Sequence, residues 1–284
     1  MAFLDVIRRS SGQGSLLREI EQRYQRKQTK PPLDKATYSV RSSALPSLCA
    51  REEVICALHN ITRNDDVDAA LNLIFLHGTA LHWGVQNRLL PEIGVIYGLW
   101  RCLHCGQMHG KPDGSVTVDQ WAIPRPALCG IKGCKSNDFE YVEHSFADES
   151  IRLTGHCDGF LRIPGLPGMG VLELKSVGGK NAIDAKSAPQ IAHVIQAHAY
   201  MMFTGFQWGK ILYWVKGGTG LGSLIEHHIE RDEETIQLIR ETLLTLGRGL
   251  HSGVLPDRIC ATSTCPRASK CAVVSLCFSD AHAI

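Results

Sequence analysis

Three charged side chains define the chemistry to be explained. Asp158 stands inside the strand-like run IRLTGHCDGFLRI (151–163), and Glu173 and Lys175 stand two apart in GVLELKSV (170–177). Strand residues two apart share a face, so Glu173 and Lys175 point to the same side. Carboxylates so placed bind one or two hard divalent cations, which activate water and stabilise charge when a phosphodiester is cleaved. A lysine beside them positions the nucleophile or neutralises developing charge. An acid followed by E-x-K is also common on exposed strand faces, where it forms an ordinary surface pair. The flanks favour the buried case: Val171, Leu172 and Leu174 surround Glu173, and buried charges are costly without a functional partner.

The elements that must hold these groups follow from periodicity. Apolar residues recur at helical spacing from Asp66 to Leu90, and Pro91 and Gly94 end the pattern. This long helix carries His82, a nitrogen ligand for a metal, in the run Gly78–Thr79–Ala80–Leu81–His82. Taken alone, a helical histidine is more often packed or simply exposed. The runs 151–163 and 170–177 read as a hairpin joined by IPGLPGMG, followed by a helix over 188–205 that Gly205 ends. Gln196 and Tyr200 lie four apart on that helix and share a face, where they present an amide and a phenol. By itself that pair reads better as a capped core tyrosine. Strands over 210–217 and 223–230 and a helix over 232–251 complete the body. Strands and helices mixed without a repeat period predict an α/β or α+β core.

In chain order, Gly78–His82, then GHCDGF (155–160), LELK (172–175) and QAHAY (196–200) resemble the four motifs of the RecB-like branch of PD-(D/E)xK nucleases. The resemblance spans roughly residues 38–280, and the order of the motifs makes it more specific than any one of them. It implies a restriction-endonuclease-like core, a mixed β-sheet flanked by helices. It also implies that His82, Asp158, Glu173 and the carbonyl of Leu174 hold Mg²⁺ or Mn²⁺. Lys175 would be the catalytic lysine, and Gln196 with Tyr200 would support DNA and the active site. Glu143, in YVEHSF (141–146), sits where such nucleases often carry another acid. YVEHSF through GHCDGF looks especially like phage-encoded exonucleases of this branch. The implied activity is hydrolysis of linear DNA to products with 5′-phosphates, in phage replication, recombination or host-DNA degradation. Replication or recombination proteins are possible partners. CRISPR-associated end processing is a related alternative, and a catalytically inactive DNA-binding scaffold is another.

Eleven cysteines are many for a chain that opens without a secretory signal, and an odd number argues against a closed disulfide framework. Cys102-x2-Cys105 and Cys129-x4-Cys134, with glycines nearby, read as a zinc ribbon inserted at 98–138. His104 or His109 as a substitute ligand is the less favoured reading. Arg101, Lys111, Lys132 and Lys135 are cations through which such a ribbon would grip DNA. The run 40–52, containing Cys49, resembles the upstream element of RecB-like nucleases that hold an iron–sulfur cluster, where one early cysteine joins three late ones. The resemblance favours Cys49, Cys260, Cys271 and Cys277 as ligands of a [4Fe–4S] clasp between the chain's two ends. The cysteine cluster at 258–278 leaves Cys265 as the alternate to Cys260. Zinc in the same four thiolates is the rival occupant. Cys56 and Cys157 read as free buried thiols.

Composition bounds the rest. The 284 residues are 44% hydrophobic and 20% charged, which excludes wholesale disorder and fibrous classes. A net charge of +2 carries no argument for nucleic acid. Residues 1–35, with eight Lys or Arg against four Asp or Glu, form a basic arm with a helical stretch and a linker, equally readable as a solvated helix face. The folded nuclease domain is expected over 36–284. No apolar run is long enough to span a membrane, and the expected location is the cytoplasm, the host's if the protein is phage-encoded.

Overall fold

The computed structural model describes residues 15–25, 29–30, 33–64, 66–110 and 117–279. Most of the expected basic arm and its linker, together with Lys111, therefore lie outside the described residues. The helices are α1 (Ser15–Tyr24), α2 (Ala50–Leu58), α3 (Ala69–Gly84), α4 (Leu90–Glu92), α5 (Val118–Trp121), α6 (Lys180–Ser187), α7 (Ile191–Thr204), α8 (Glu233–Ser252) and α9 (Val274–Phe278). The strands are β1 (Thr29–Lys30), β2 (Val40–Arg41), β3 (Arg63–Asn64), β4 (Ile96–Cys102), β5 (Met108–His109), β6 (Ile123–Pro124) and β7 (Phe139–Val142). They continue as β8 (His144–Asp148), β9 (Leu153–Cys157), β10 (Gly159–Leu161), β11 (Gly170–Val177), β12 (Trp208–Val215) and β13 (Leu224–Glu230).

The chain is a mixed α/β protein, with a mixed sheet flanked by helices. The large sheet runs β13-β12-β11-β10-β4-β5, and β6 and β7 also pair with β4. β11 and β12 are parallel, so the chain must cross over between them, and it does so through α6 and α7. Residues of β11 alternate between two cores. Val171 and Val177 pack with Tyr200 and Met201 of α7, whereas Leu172 and Leu174 pack with Val85 and Leu90. Glu173 and Lys175 therefore take the α7 side. Asp68 starts α3 by accepting from the Leu71 amide, and Asp232 caps α8 through the amides of Glu234 and Thr235. Gly205 ends α7 with a left-handed φ of 74°.

Three differences from the sequence reading bear on the site. The expected strand 151–163 is two strands: β9 pairs with β8 and β2 in a small sheet, and β10 pairs with β11 and β4 in the large one. Asp158 stands at the bend where the chain changes sheets. The expected insertion at 98–138 begins within a core strand, because β4 starts at Ile96 and buries Trp100 completely. The long helix from 66 to 90 is interrupted by a π turn over Val85–Leu89. The later strands, the 188–205 helix and the final helix fall where periodicity puts them, with α6 unanticipated. Among the described residues no helix is long and apolar enough to cross a membrane.

The β10–β11 hairpin depends on a close approach at Gly170, where an added Cβ would lie 2.2 Å from the Trp208 ring. Trp208 cannot swing aside freely, since its indole N–H donates to the Pro167 carbonyl at 2.7 Å. Gly170→Ala should therefore destabilise the fold by about 1–3 kcal/mol through overpacking. Urea unfolding measures this directly, and an unchanged midpoint would disprove the close packing.

Candidate active site

Side chains from five segments converge at the bend between β9 and β10. The Asp158 carboxylate accepts the Leu174 amide on Oδ2 at 2.6 Å, and its Oδ1 lies 3.5 Å from His82 Nδ1. Gln86, in the π turn, donates from Nε2 to Glu143 Oε1 and to the Asp158 carbonyl, each at 2.8 Å. Ligand atoms of His82, Glu143 and Asp158 all lie within 4.8 Å of one another. Asn87, the next residue of the turn, accepts the Tyr141 amide at 2.6 Å and so ties the turn to β7. From α7, Gln196 Nε2 donates to the Tyr200 hydroxyl at 2.7 Å, which also receives Ser42 Oγ at 3.3 Å.

Glu173 is 0% exposed; its Oε1 is paired with the Lys175 ammonium, its one charged neighbour in contact, and its Oε2 has no hydrogen-bond partner among the described residues. Of the sequence-derived set, His82, Asp158, Gln196 and Tyr200 line one cleft, whereas Glu173 and Lys175 are not among its lining residues. The tight three-ligand group contains Glu143 rather than Glu173, which stands behind it on β11. Sequence reasoning passed over Gln86, Asn87 and Ser42. Gln86 lies four residues after His82, on the same helix face, and that spacing was the available signal.

The electrostatics follow from crowding acids in a buried place. Burial, then the nearby Asp158 charge, pushes Glu173 up to about 8 against the pull of Lys175. Glu143 is raised by the same two causes. Burial lowers the His82 pKa, but its hydrogen bond and attraction to Asp158 outweigh this, and the net shift is upward. Lys175 is likewise raised: burial opposes its charge, and Glu173 and Asp158 overcome that. Carboxylates that repel one another in a buried place form a donor set suited to a divalent cation.

The site opens into a cleft of about 910 Å³. His82, Glu143, Asp158, Gln196 and Tyr200 line its floor, with Arg41, Trp83 and Arg101 among its walls. Arg101 forms an ion pair with Glu140 across the β4–β7 register.

Two further groups of cysteines are organised differently. Cys102, Cys105, Cys129 and Cys134 bring their sulfurs within 4.8 Å of one another, with Cys102 to Cys134 at 3.8 Å and Cys105 to Cys129 at 3.7 Å. Four thiolates at the usual zinc–sulfur bond length of about 2.3 Å around a tetrahedral ion stand about 3.8 Å apart. His109 Nε2 lies 3.4 Å from Cys129, outside that four-sulfur group. The Cys105 amide, hydrogen-bonded to Cys102, leads the effects that push the Cys102 thiol down to about 6. By contrast, Cys49, Cys260, Cys271 and Cys277 line one small concavity. Cys265 accepts the Ala268 amide at 3.3 Å. Cys56 and Cys157 are buried, as expected of free thiols.

No family model matches the chain, and no curated protein matches it. Among solved structures, an alkaline exonuclease (LHK-Exo) from Laribacter hongkongensis is similar at 15% identity and a TM-score of 0.45, over 77% of this chain and 90% of that one. The same exonuclease in complex with dAMP gives the same values. The structure titled SSO0001 is similar at 14% identity and a TM-score of 0.38, over 83% of this chain and 88% of that one.

The raised Glu173 pKa has a measurable consequence. The folded state keeps a proton on Glu173 up to about pH 8, whereas the unfolded chain releases it near 4.5. Between those values the unfolded state binds fewer protons, so stability falls as pH rises. In chelator, urea unfolding should show lower stability at pH 8 than at pH 5.5, and Glu173→Gln should flatten this dependence. A slope unaltered by the substitution would mean that Glu173 is not the titrating group.

Proposed function

We propose that the protein is a metal-dependent deoxyribonuclease of the PD-(D/E)xK type, acting as an exonuclease on linear DNA. The observation that carries this reading is the fully buried Glu173 carboxylate, paired only with Lys175 among the described residues, together with the His82–Glu143–Asp158 group. His82, Asp158, Glu173 and the Leu174 carbonyl would hold Mg²⁺ or Mn²⁺, with Glu143 as a further acidic group. When bound, the cation supplies Lewis-acid activation of water and stabilises charge on the phosphate. The Leu174 amide fixes Asp158, and Gln86 fixes Glu143, so neither carboxylate needs to reorganise during the reaction. Lys175 places a positive charge beside the reacting phosphate, and its ion pair with Glu173 holds the ammonium in place. Gln196 and Tyr200 face the cleft and support the strand lying there. Water adds to phosphorus as the bond to the 3′-oxygen breaks, and the departing oxygen takes up a proton, leaving a 5′-phosphate.

On this reading, residues 36–284 are the nuclease domain, acting on DNA in a phage-type replication, recombination or degradation role in the cytoplasm. The Cys102, Cys105, Cys129 and Cys134 group is a zinc ribbon, supported by sulfur spacings that suit a single tetrahedral ion. Cys49, Cys260, Cys271 and Cys277 hold a [4Fe–4S] cluster, supported by their places around a concavity rather than in a tight four-sulfur group. The two groups are structural, since four thiolates leave no open position for a substrate.

The decisive experiment incubates anaerobically purified, metal-replete protein with Mg²⁺ or Mn²⁺ and end-labelled linear DNA beside closed circles. Linear DNA alone should be degraded, Glu173→Ala should abolish the activity, and Lys175→Ala should lower kcat by roughly 10²–10³-fold or more. Cleavage of nothing by metal-replete protein would instead leave a DNA-binding scaffold. Elemental analysis tests the cysteine assignments separately. Cys105→Ser should lose zinc and keep iron, and Cys49→Ser should lose iron and acid-labile sulfide and keep zinc. Loss of zinc from both variants, with no iron in either, would place zinc at both sites.

A further inference from the structure

Trp83 follows His82 on α3 and lines the same cleft, yet it is 47% exposed. Trp100 and Trp208 behave as core tryptophans: they are 0% and 3% exposed, and their indole N–H groups donate to the carbonyls of Ile123 and Pro167. Leaving so large an aromatic surface in water beside a group of acids has no packing return. Its backbone is nevertheless held firmly. The Trp83 carbonyl accepts Asn87 Nδ2 at 3.0 Å, and Asn87 is fastened through Oδ1 to the Tyr141 amide of β7. The ring is therefore presented from a fixed point one residue from a metal-ligand candidate. The Arg88 guanidinium carbon lies 5.8 Å from the ring centroid, which puts a cation next to the aromatic face. Arg41 adds another cation to the cleft lining, where Arg101 is already paired with Glu140.

An aromatic side chain with cations around it is the chemistry that binds single-stranded nucleic acid: bases stack on the ring, and phosphates meet the guanidinium groups. A base inside a duplex has both faces covered by its neighbours and cannot use such a ring. We propose that Trp83 is a stacking platform for an unpaired base, so that the cleft takes DNA as a single strand, supplied either as such or frayed from a duplex end. This rests on the nuclease reading of the same cleft and adds to it the form of the substrate. It also gives Trp83 a role in specificity distinct from that of His82: it grips the base next to the scissile phosphate without taking part in bond breaking.

The test uses full-length, metal-replete protein and three DNA substrates: a single-stranded oligodeoxynucleotide, a blunt duplex of the same sequence, and that duplex with a single-stranded overhang. Binding is followed in chelator by tryptophan fluorescence, and cleavage by KM and kcat with Mn²⁺. Single strands should quench the wild-type emission. Trp83→Phe should remove most of that quenching while holding Kd within about 3-fold, because a ring remains to stack on. Trp83→Ala should raise Kd and KM for single strands about 10-fold with kcat little changed, the loss of one stacked base. Rises confined to the single strand and the overhang would identify a ready-made strand as the substrate, and an equal rise on the blunt duplex a frayed end. Unchanged Kd and KM for Trp83→Ala on all three substrates would overturn the proposal, as would unaltered quenching in Trp83→Phe. Quenching that depends on Trp83 in a protein that cuts nothing would uphold stacking while removing the nuclease reading. Cleavage indifferent to Trp83 would do the reverse.

Discussion

The structure is organised around one electrostatic imposition, the fully buried carboxylate of Glu173 on β11, whose one charged contact among the described residues is the Lys175 ammonium. Burial and the neighbouring Asp158 charge resist its ionisation and hold its pKa well above the usual carboxylate value, a cost the unfolded chain does not bear. The strand keeps it there by anchoring everything around it. β11 is hydrogen-bonded on both edges, to β10 and β12, and Leu172 and Leu174 lock its opposite face into the core beside Val85. Glu173 therefore cannot rotate toward solvent without pulling two leucines out of that core. The same rigidity fixes the Leu174 amide, which holds Asp158. Strand order thus brings Asp158, Glu173 and Lys175 together.

Much of this was legible because it is local. The alternation in 170–177 places Glu173 and Lys175 on one face, the four-residue spacing of Gln196 and Tyr200 survives as a direct hydrogen bond, and Gly205 ends its helix where a left-handed residue is needed. Other features depend on partners that no local pattern contains. The chain changes sheets at Asp158 because Gly159 lets β10 come close to Ile96 and Leu172, a fact about neighbours distant in sequence. The π turn at Val85–Leu89 was hidden because one extra residue in a helical turn does not break an apolar pattern. That turn aims Gln86 at Glu143 and Asp158, so the most informative missed residue lies in the least legible element. β4 was hidden too, since its glycine, arginine and cysteine disguise a strand whose Ile96, Trp100 and Cys102 are all buried.

The two cysteine groups sit at the ends of elements that lead into the site. Cys102 pairs with Phe139 in the β4–β7 register, and Glu143 follows β7 directly. The position of the thiolate group therefore sets the strand that delivers Glu143, and the same strand carries the Tyr141 amide that steadies Asn87. Arg101 and Glu140 lie next along that register and reach the cleft wall, so the group's order also governs the rim.

The terminal cysteines act by a parallel route. Cys49 stands at the N-cap of α2, Arg51 in its first turn donates to Cys277 and to the Pro256 carbonyl, and Ile55 and Cys56 pack against Val273. These contacts fasten the C-terminal segment to α2. Immediately before α2, residues 42–47 form a tight helical turn whose Ser42 hydroxyl reaches Tyr200. Gly155 of β9 closes this arrangement, since a Cβ there would lie 2.7 Å from Ser42 Oγ and 3.2 Å from the Tyr200 ring. The C-terminal cysteine segment, the turn and the Tyr200 side of the cleft thus form one packed series. The two cysteine groups thus adjoin the segments that place Glu143 on one side and Tyr200 on the other, and neither lines the cleft itself.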